Sequence, residues 1–143
     1  MEQEELKGIT SFSLPEDEGA LTNAECNVMR DTNGQIGIIA LRGHFSYASA
    51  RELVQRTGSA ISGHEAMVFD FTGVAHVDTS AALAIEELIE TAQCETRGCF
   101  IAGLTGSAET TLRALGVLDT IPPDRLVGTR LEAIEHAAKL IDD

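Results

Sequence analysis

The spacing of hydrophobic and polar residues changes several times along the chain, and each change predicts a structural element. Residues 66–71 (AMVFDF) are almost continuously apolar, which is typical of a strand covered on both faces, as in parallel sheets linked by helices. Residues 79–96 instead carry apolar side chains every three or four positions, with their glutamates largely off that stripe. This spacing predicts an amphipathic helix with one packed face and one solvated face. The packed stripe is Ala82, Ile85, Leu88, Ile89 and Ala92.

The other segments extend this alternation of strands and helices. Residues 26–31 and 36–43 flank Asn33-Gly34 and predict a β-hairpin whose first strand lies at the sheet edge. Gly98 is expected to close the helix over 79–96. Further helices are predicted over 48–61, 107–116 and 131–141, and further strands over 99–104 and 124–129. The resulting order, β-β-α-β-α-β-α-β-α, predicts an α/β or α+β fold, a mixed β-sheet flanked by about four helices that lie mainly on one face.

The chain divides into a short lead-in and one domain. Residues 1–23 mix Glu, Gly, Ser and Pro15 without sustained periodicity, so we expect a flexible acidic lead-in or linker there. Residues 24–143 are expected to form a single domain, because a chain of 143 residues that is 43% apolar can fill one core.

Charge and composition exclude several classes of function. The formal net charge of -13 argues against nucleic-acid binding, which uses basic patches. No apolar run approaches the roughly 20 residues of a membrane helix, and the acidic N-terminus does not resemble a signal peptide. We therefore expect a soluble chain that does not itself insert into a membrane. Cys26, Cys94 and Cys99 match no metal-ligand spacing and are expected to be reduced thiols in the cytoplasm.

The stretch Asp78-Thr79-Ser80 follows a predicted strand and opens a predicted helix. Asp78 is a good N-cap, because its carboxylate can accept hydrogen bonds from the backbone N–H groups of residues 80 or 81. A second interpretation adds a function: the hydroxyls of Thr79 and Ser80 face a protein partner across a first turn kept flat by Ala81 and Ala82. A phosphate there would suit the helix dipole and repel an acidic partner. The residues alone leave both interpretations open.

The remaining candidates for chemistry do not predict an enzyme. Ser80 lacks the Gly-x-Ser-x-Gly elbow of hydrolases, and the spacing of Asp70 and Asp78 does not make them an acid/base pair. The four histidines have no metal-like spacing, so no metal or other cofactor is expected. Residues 103–107 (GLTGS) lack the lysine of a phosphate-binding loop and predict a turn with Ser107 as an N-cap, weak nucleotide contact being the alternative.

Residues 68–90 (VFDFTGVAHVDTSAALAIEELIE) resemble the central motif of STAS domains, which occur in anti-sigma-factor antagonists and at the cytoplasmic C-termini of SulP anion transporters. The family pattern hydrophobic-Asp-[Phe/Leu]-[Ser/Thr] matches Asp70 to Thr72, and Asp-[Ser/Thr]-[Ser/Thr]-small matches Asp78 to Ala81. The resemblance covers about residues 25–141. It implies a STAS fold, no catalytic activity, and a surface at Asp78–Ala82 that binds a protein partner.

The resemblance implies two alternative functions. In free-standing antagonists, a partner serine kinase phosphorylates the residue that matches Ser80, and the unphosphorylated form binds that kinase and frees a sigma factor. Many antagonists carry glycine where this chain has Ala81. In SulP transporters the domain regulates a membrane permease for anions such as sulfate or bicarbonate, tethered at the cytoplasmic side of the inner membrane. Residues 43–54 and 112–137 resemble SulP flanking patterns and favour the transporter. Weak nucleotide binding near the helix N-terminus is a further implication, which the net charge opposes.

Overall fold

The computed structural model describes residues 9–12, 35–45 and 63–142. Its strands are β1 (Ile9–Phe12), β2 (Ile36–Phe45), β3 (Ala66–Val77), β4 (Gly98–Ala102) and β5 (Leu126–Val127). Its helices are α1 (Thr79–Glu95), α2 (Gly106–Ala114) and α3 (Arg130–Asp142), with a 3₁₀ turn at Pro123–Arg125. Single residues are also described at Ala24, Asn27, Val28, Ala48, Arg51, Val54, Gln55 and Ile61.

The five strands form one mixed sheet in the order β1-β2-β3-β4-β5. Strands β2 to β5 are parallel, and β1 runs antiparallel to β2, with Ile9 opposite Leu41. Because helices connect the later parallel strands, their carboxyl ends meet at one edge of the sheet. The predicted fold class, a mixed sheet flanked by helices, is confirmed.

Two hydrophobic cores cover the two faces of the sheet. Along β3, Met67, Phe69 and Phe71 point into a core with α1 and α2, whereas Ala66 and Val68 point into a core with α3. All five residues of β4 are buried. The near-continuous apolar runs therefore reflect cover on both faces, as predicted. The prediction that the helices lie mainly on one face of the sheet holds only in part, because α1 and α2 pack on one face and α3 packs on the other.

The predicted hairpin is wrong. Asn27 and Val28, in its predicted first strand, are helical, and Val28 packs against the core under α3. The antiparallel neighbour of β2 is instead β1, from the segment predicted to be a flexible lead-in. A short apolar run does not distinguish a strand from a helical turn by itself, and here packing on the sheet decides.

Several element boundaries also differ from the predictions. Strand β3 continues past residue 71 to Val77, because it pairs with β2 through two register shifts. Thr96 rather than Gly98 ends α1, since its backbone N–H donates to the Ala92 carbonyl, and Gly98 is the first residue of β4. Helix α2 ends at Ala114 with Leu115 as the C-cap, so Gly116, predicted as its last residue, lies just beyond the helix. Gly116 has φ +75°, and the N–H groups of Gly116 and Val117 donate to the carbonyls of Arg113 and Leu112.

Three predictions fall wholly or partly outside the described residues. Of the predicted lead-in over 1–23, only Ile9–Phe12 is described. Most of the predicted helix over 48–61 is not described, although its described residues Ala48, Arg51, Val54, Gln55 and Ile61 are all helical. Cys26 also lies outside the described residues. Among the helices that the structure describes, none is long and apolar enough to cross a membrane.

Candidate functional site

Asp78 lies where β3 ends and α1 begins, at the sheet edge predicted for it. Its backbone is extended (φ -68°, ψ 156°), and its carbonyl accepts the first helical hydrogen bond, from the Ala82 N–H at 2.9 Å. Asp78 is therefore the N-cap by position. However, its side chain makes no capping hydrogen bond, so the prediction that the carboxylate binds the N–H groups of residues 80 or 81 is wrong.

The Asp78 carboxylate turns instead to a histidine two residues earlier. Oδ1 of Asp78 lies 3.2 Å from Nε2 of His76, and Nδ1 of the same ring lies 3.1 Å from Oγ of Ser107 in the first turn of α2. His76 thereby links the loop before α1 to the start of α2. The spacing of His76 and Asp78 was a usable signal, because alternate residues of an extended chain share a face. The contact with Ser107 depends on the tertiary fold.

The same three residue types form the catalytic chain of serine hydrolases, where the acid is buried. In this chain the side chains of His76 and Asp78 are 46% and 52% exposed, and Ser107 is exposed as well. The arrangement is therefore a solvated link between two loops at one edge of the sheet.

The five residues predicted to form the partner surface differ in their exposure to solvent. Thr79 and Ser80 are exposed in the first turn. Ala81 and Ala82 are fully buried in the core under α1, so their assignment to the partner surface is wrong. Their small side chains let the first turn of α1 approach the sheet closely.

Leu83, unlike the two alanines, lies on the exposed face of α1. It is 55% exposed and is one of two exposed large apolar side chains among the described residues, the other being Leu115. It lies three residues after Ser80 and four after Thr79, so the three side chains share one face of the helix. Glu87 and Glu90 continue this exposed face, and Glu87 lies 3.7 Å from Arg51. We call Asp78, Thr79, Ser80 and Leu83 the α1 surface. The sequence prediction missed Leu83 because it treated that face as uniformly polar.

The loop over 103–107 reaches the same edge of the sheet. Gly103 has φ +69°, and a Cβ atom built on it would overlap Oγ1 of Thr72. Glycine is therefore required both by the backbone conformation and by the close approach of β3. The N-cap of α2 is Thr105 rather than the predicted Ser107, which is the second residue of the helix and binds His76.

Asp70, the first acid of the family motif, is a structural anchor. It is 8% exposed. Its Oδ1 accepts hydrogen bonds from the Thr72 N–H at 3.0 Å and from the Thr72 hydroxyl at 2.6 Å, and its Oδ2 lies 3.4 Å from Nη1 of Arg130. Asp70 thus ties β3 to the first residue of α3.

The described thiols are free, and their environments differ. Cys94 is exposed, and Cys99 is buried in β4. Burial raises the pKa of Cys99 to about 12, although the nearby Arg125 charge acts in the opposite direction. This thiol stays protonated at neutral pH and is a poor nucleophile. Within the described part of the chain, no three side chains of His, Cys, Asp or Glu come together as a metal site would require.

Comparisons with known proteins agree with this fold. The sequence model of the STAS domain matches residues 27–133. The bicarbonate transporter BicA of Synechocystis sp. is 31% identical over 131 residues, which is 92% of this chain and 23% of the transporter. The chain therefore spans about a quarter of the length of that relative.

Two solved structures share the fold. A sulfate transporter family protein from Wolinella succinogenes aligns with a TM-score of 0.67 and 16% identity, covering 76% of this chain and 89% of the other. The unphosphorylated anti-sigma factor antagonist SpoIIAA aligns with a TM-score of 0.61 and 13% identity, covering 73% of this chain and 90% of the other. The match of the family model to most of the chain, together with the Asp70 and Asp78 motifs in their expected places, shows that the chain belongs to the STAS domain family.

Proposed function

We propose that the chain is a non-catalytic regulatory module of a bicarbonate or sulfate transporter of the SulP type, and that it binds a protein partner through the α1 surface. The observation that carries the proposal is the 31% identity to a bicarbonate transporter over 92% of the chain. The module would be held at the cytoplasmic side of the membrane by the permease that it regulates.

The chemistry of the α1 surface supports a partner of a particular kind. An exposed leucine is flanked by hydroxyl groups at one end and by Glu87 and Glu90 at the other. A matching partner would offer an apolar pocket for Leu83 with basic residues around it, because opposite charges set orientation and speed association. The membrane region of the transporter, or a regulatory protein, would carry this complementary surface.

Two variants test whether the α1 surface regulates transport. Ser80→Asp adds a carboxylate in the first turn of α1, where the helix dipole favours a negative charge, so the fold should tolerate it within about 0.5 kcal/mol. Leu83→Gln removes the apolar contact without opening a cavity in the core. Both changes should alter the uptake of labelled bicarbonate or sulfate by cells that express the complete gene product.

A matched control comes from the other exposed large apolar residue among those described. Leu115 is 39% exposed and lies at the end of α2, away from the α1 surface. Leu115→Gln should leave uptake unchanged. Folded Ser80→Asp and Leu83→Gln proteins that transport like the wild type would reject the surface, whereas absence of any bicarbonate or sulfate uptake by the wild type would reject the transporter assignment.

The exposure of Ser80 also supports a second candidate function, that of a free-standing anti-sigma-factor antagonist. A kinase can reach this hydroxyl without unfolding α1, and SpoIIAA, which shares the fold, has been solved in an unphosphorylated form and in a phosphorylated form. Mass spectrometry of the protein from its native cells tests this candidate. Phosphate on Ser80 of a chain with no attached permease would support it, and unmodified Ser80 under all growth conditions would contradict it.

A further inference from the structure

A cavity of about 220 Å³ lies on the opposite face of the sheet from α1. The 3₁₀ turn provides Asp124 and Arg125, helix α3 provides His136, Lys139 and Leu140, and β4 provides Phe100. The cavity is smaller than pockets for drug-sized ligands, which start at about 300 Å³.

The cavity is built around an aromatic ring. Phe100 is 3% exposed. The guanidinium carbon of Arg125 lies 5.3 Å from the centre of that ring, and the His136 ring meets it edge-on, with centroids 6.3 Å apart and planes at 81°. The Arg125 guanidinium thus lies over the ring at a distance suited to a cation–π interaction.

Among the described residues, some arginines pair with acids whereas Arg125 and Lys139 of the cavity do not. Arg113 pairs with Glu109 at 2.9 Å, and Arg130 pairs with Asp70 at 3.4 Å. In contrast, no ion pair within 4 Å joins Arg125 or Lys139 to a carboxylate of the described residues. In a chain with 23 acidic and only 10 basic residues, Arg125 and Lys139 thus converge on one cavity without an acidic partner among the described residues.

We propose that this cavity binds a small oxyanion of the phosphate class, held by Arg125 and Lys139, with His136 as a further cation when it is protonated. The planar fork of arginine suits the oxygen atoms of phosphate, and lysine adds a point charge. Asp124 is the one carboxylate in the lining, so the cationic groups outnumber it. The net charge of the whole chain does not forbid the site, because charges more than about 10 Å away are largely screened at 0.1 M salt.

The site is separate from the α1 surface. Phe100 and α3 belong to the core on one face of the sheet, and α1 belongs to the core on the other. An anion bound between the 3₁₀ turn and α3 would connect two elements at the C-terminal end of the domain. The proposal therefore adds a ligand site that does not depend on how the α1 surface functions.

Titration of the 143-residue chain with sodium phosphate, followed by amide NMR at constant ionic strength, tests the site. Saturable shifts are expected at Phe100, Arg125, His136 and Lys139, with sodium chloride as the reference titrant. Lys139→Gln and Arg125→Gln should each weaken binding about five-fold or more, the factor for one unit charge at about 4 Å in water. Arg113→Gln, which removes an exposed arginine away from the cavity, should leave binding unchanged.

Each outcome of this experiment has a defined meaning. Absence of shifts, shifts that do not saturate, or an affinity that falls equally in Arg113→Gln would overturn the proposal. Lys139 is exposed, so its variant remains informative if Arg125→Gln fails to fold. Vesicles of phosphatidylcholine with and without phosphatidic acid identify the source: binding to the acidic vesicles assigns the phosphate to a lipid headgroup, and phosphate binding without vesicle binding assigns it to a soluble anion.

Discussion

The link between Asp70 and Arg130 yields a stability prediction that can be worked out from the structure. The two side chains are 11% and 17% exposed, so the pair is mostly shielded from water. Asp70→Ala removes one ion pair and both hydrogen bonds from Thr72. Removing one partner of a buried pair costs about 3–5 kcal/mol. Asp70→Asn retains an oxygen for Thr72 and should cost less, about 1–2 kcal/mol.

Urea unfolding followed by far-ultraviolet circular dichroism measures these costs, and the chain has no tryptophan that would offer a simpler optical probe. With a slope of about 1–3 kcal/mol per molar urea, Asp70→Ala should lower the midpoint by at least about 1 M at an unchanged slope. A double-mutant cycle with Arg130→Met isolates the pair, and a coupling of at least about 1 kcal/mol is expected.

The matched control is Asp78→Asn, which alters an acid paired with a histidine at the surface. Because exposed ion pairs contribute only about 0–1 kcal/mol, this variant should unfold close to the wild type. If Asp70→Ala also lies within about 0.5 kcal/mol of the wild type, Asp70 does not anchor α3 to the sheet, and the structural role assigned to the first motif acid is wrong.

Three further predictions follow from the loops, the buried thiol and the helix termini. Gly103→Ala should destabilise the fold by more than about 2 kcal/mol, because its left-handed backbone disfavours a side chain and the new Cβ would meet Thr72. Gly106→Ala is the control: Gly106 has φ +66° but open space around it, so the change should cost only about 1 kcal/mol. Equal costs of the two changes in urea unfolding would refute the crowding at Gly103. Cys99 should stay protonated in the folded state up to about pH 12 while the unfolded thiol ionises near 9.0; the free energy of unfolding should therefore fall by up to about 1.4 kcal/mol per pH unit above pH 9. Cys99→Ala should not show this fall in the free energy of unfolding above pH 9. If the free energies of unfolding of the two proteins depend on pH in the same way, the prediction for Cys99 is wrong. Titration calorimetry with GTP and ATP tests weak nucleotide binding at the start of α1. The net charge of -13 opposes such binding and predicts flat isotherms, which would reject that hypothesis, whereas saturable heat would support it.

The sequence predicted the central elements well, because their patterns are long and the core enforces them. All five residues of the predicted α1 stripe are buried, and the continuous apolar runs of β3 and β4 mark strands covered on both faces. Among residues 1–31, the described elements, β1 at Ile9–Phe12 and the helical Asn27 and Val28, were not predicted. Pairing of β1 with β2 is a contact between segments distant in sequence, and local periodicity does not reveal it.

Within the candidate site, too, local features were predicted and tertiary contacts were not. The motif located Asp78 and Ser80 correctly at the start of a helix, and helical geometry then decides which neighbours face solvent. Ala81 and Ala82 face the core because they follow the exposed Thr79 and Ser80 by roughly 200° of helical rotation, a distinction that small size alone does not reveal. The link from His76 to Ser107 and the cavity beside Phe100 join residues from separate elements, so only the tertiary structure brings them together.

The central claim is that this STAS domain serves an anion transporter, and fractionation of native cells tests it most directly. An antibody raised against the domain is used to probe membrane and soluble fractions by immunoblot. The transporter assignment predicts a band much larger than the 15.2 kDa of this chain, confined to the membrane fraction. A soluble band of 15.2 kDa with no membrane signal would contradict that assignment.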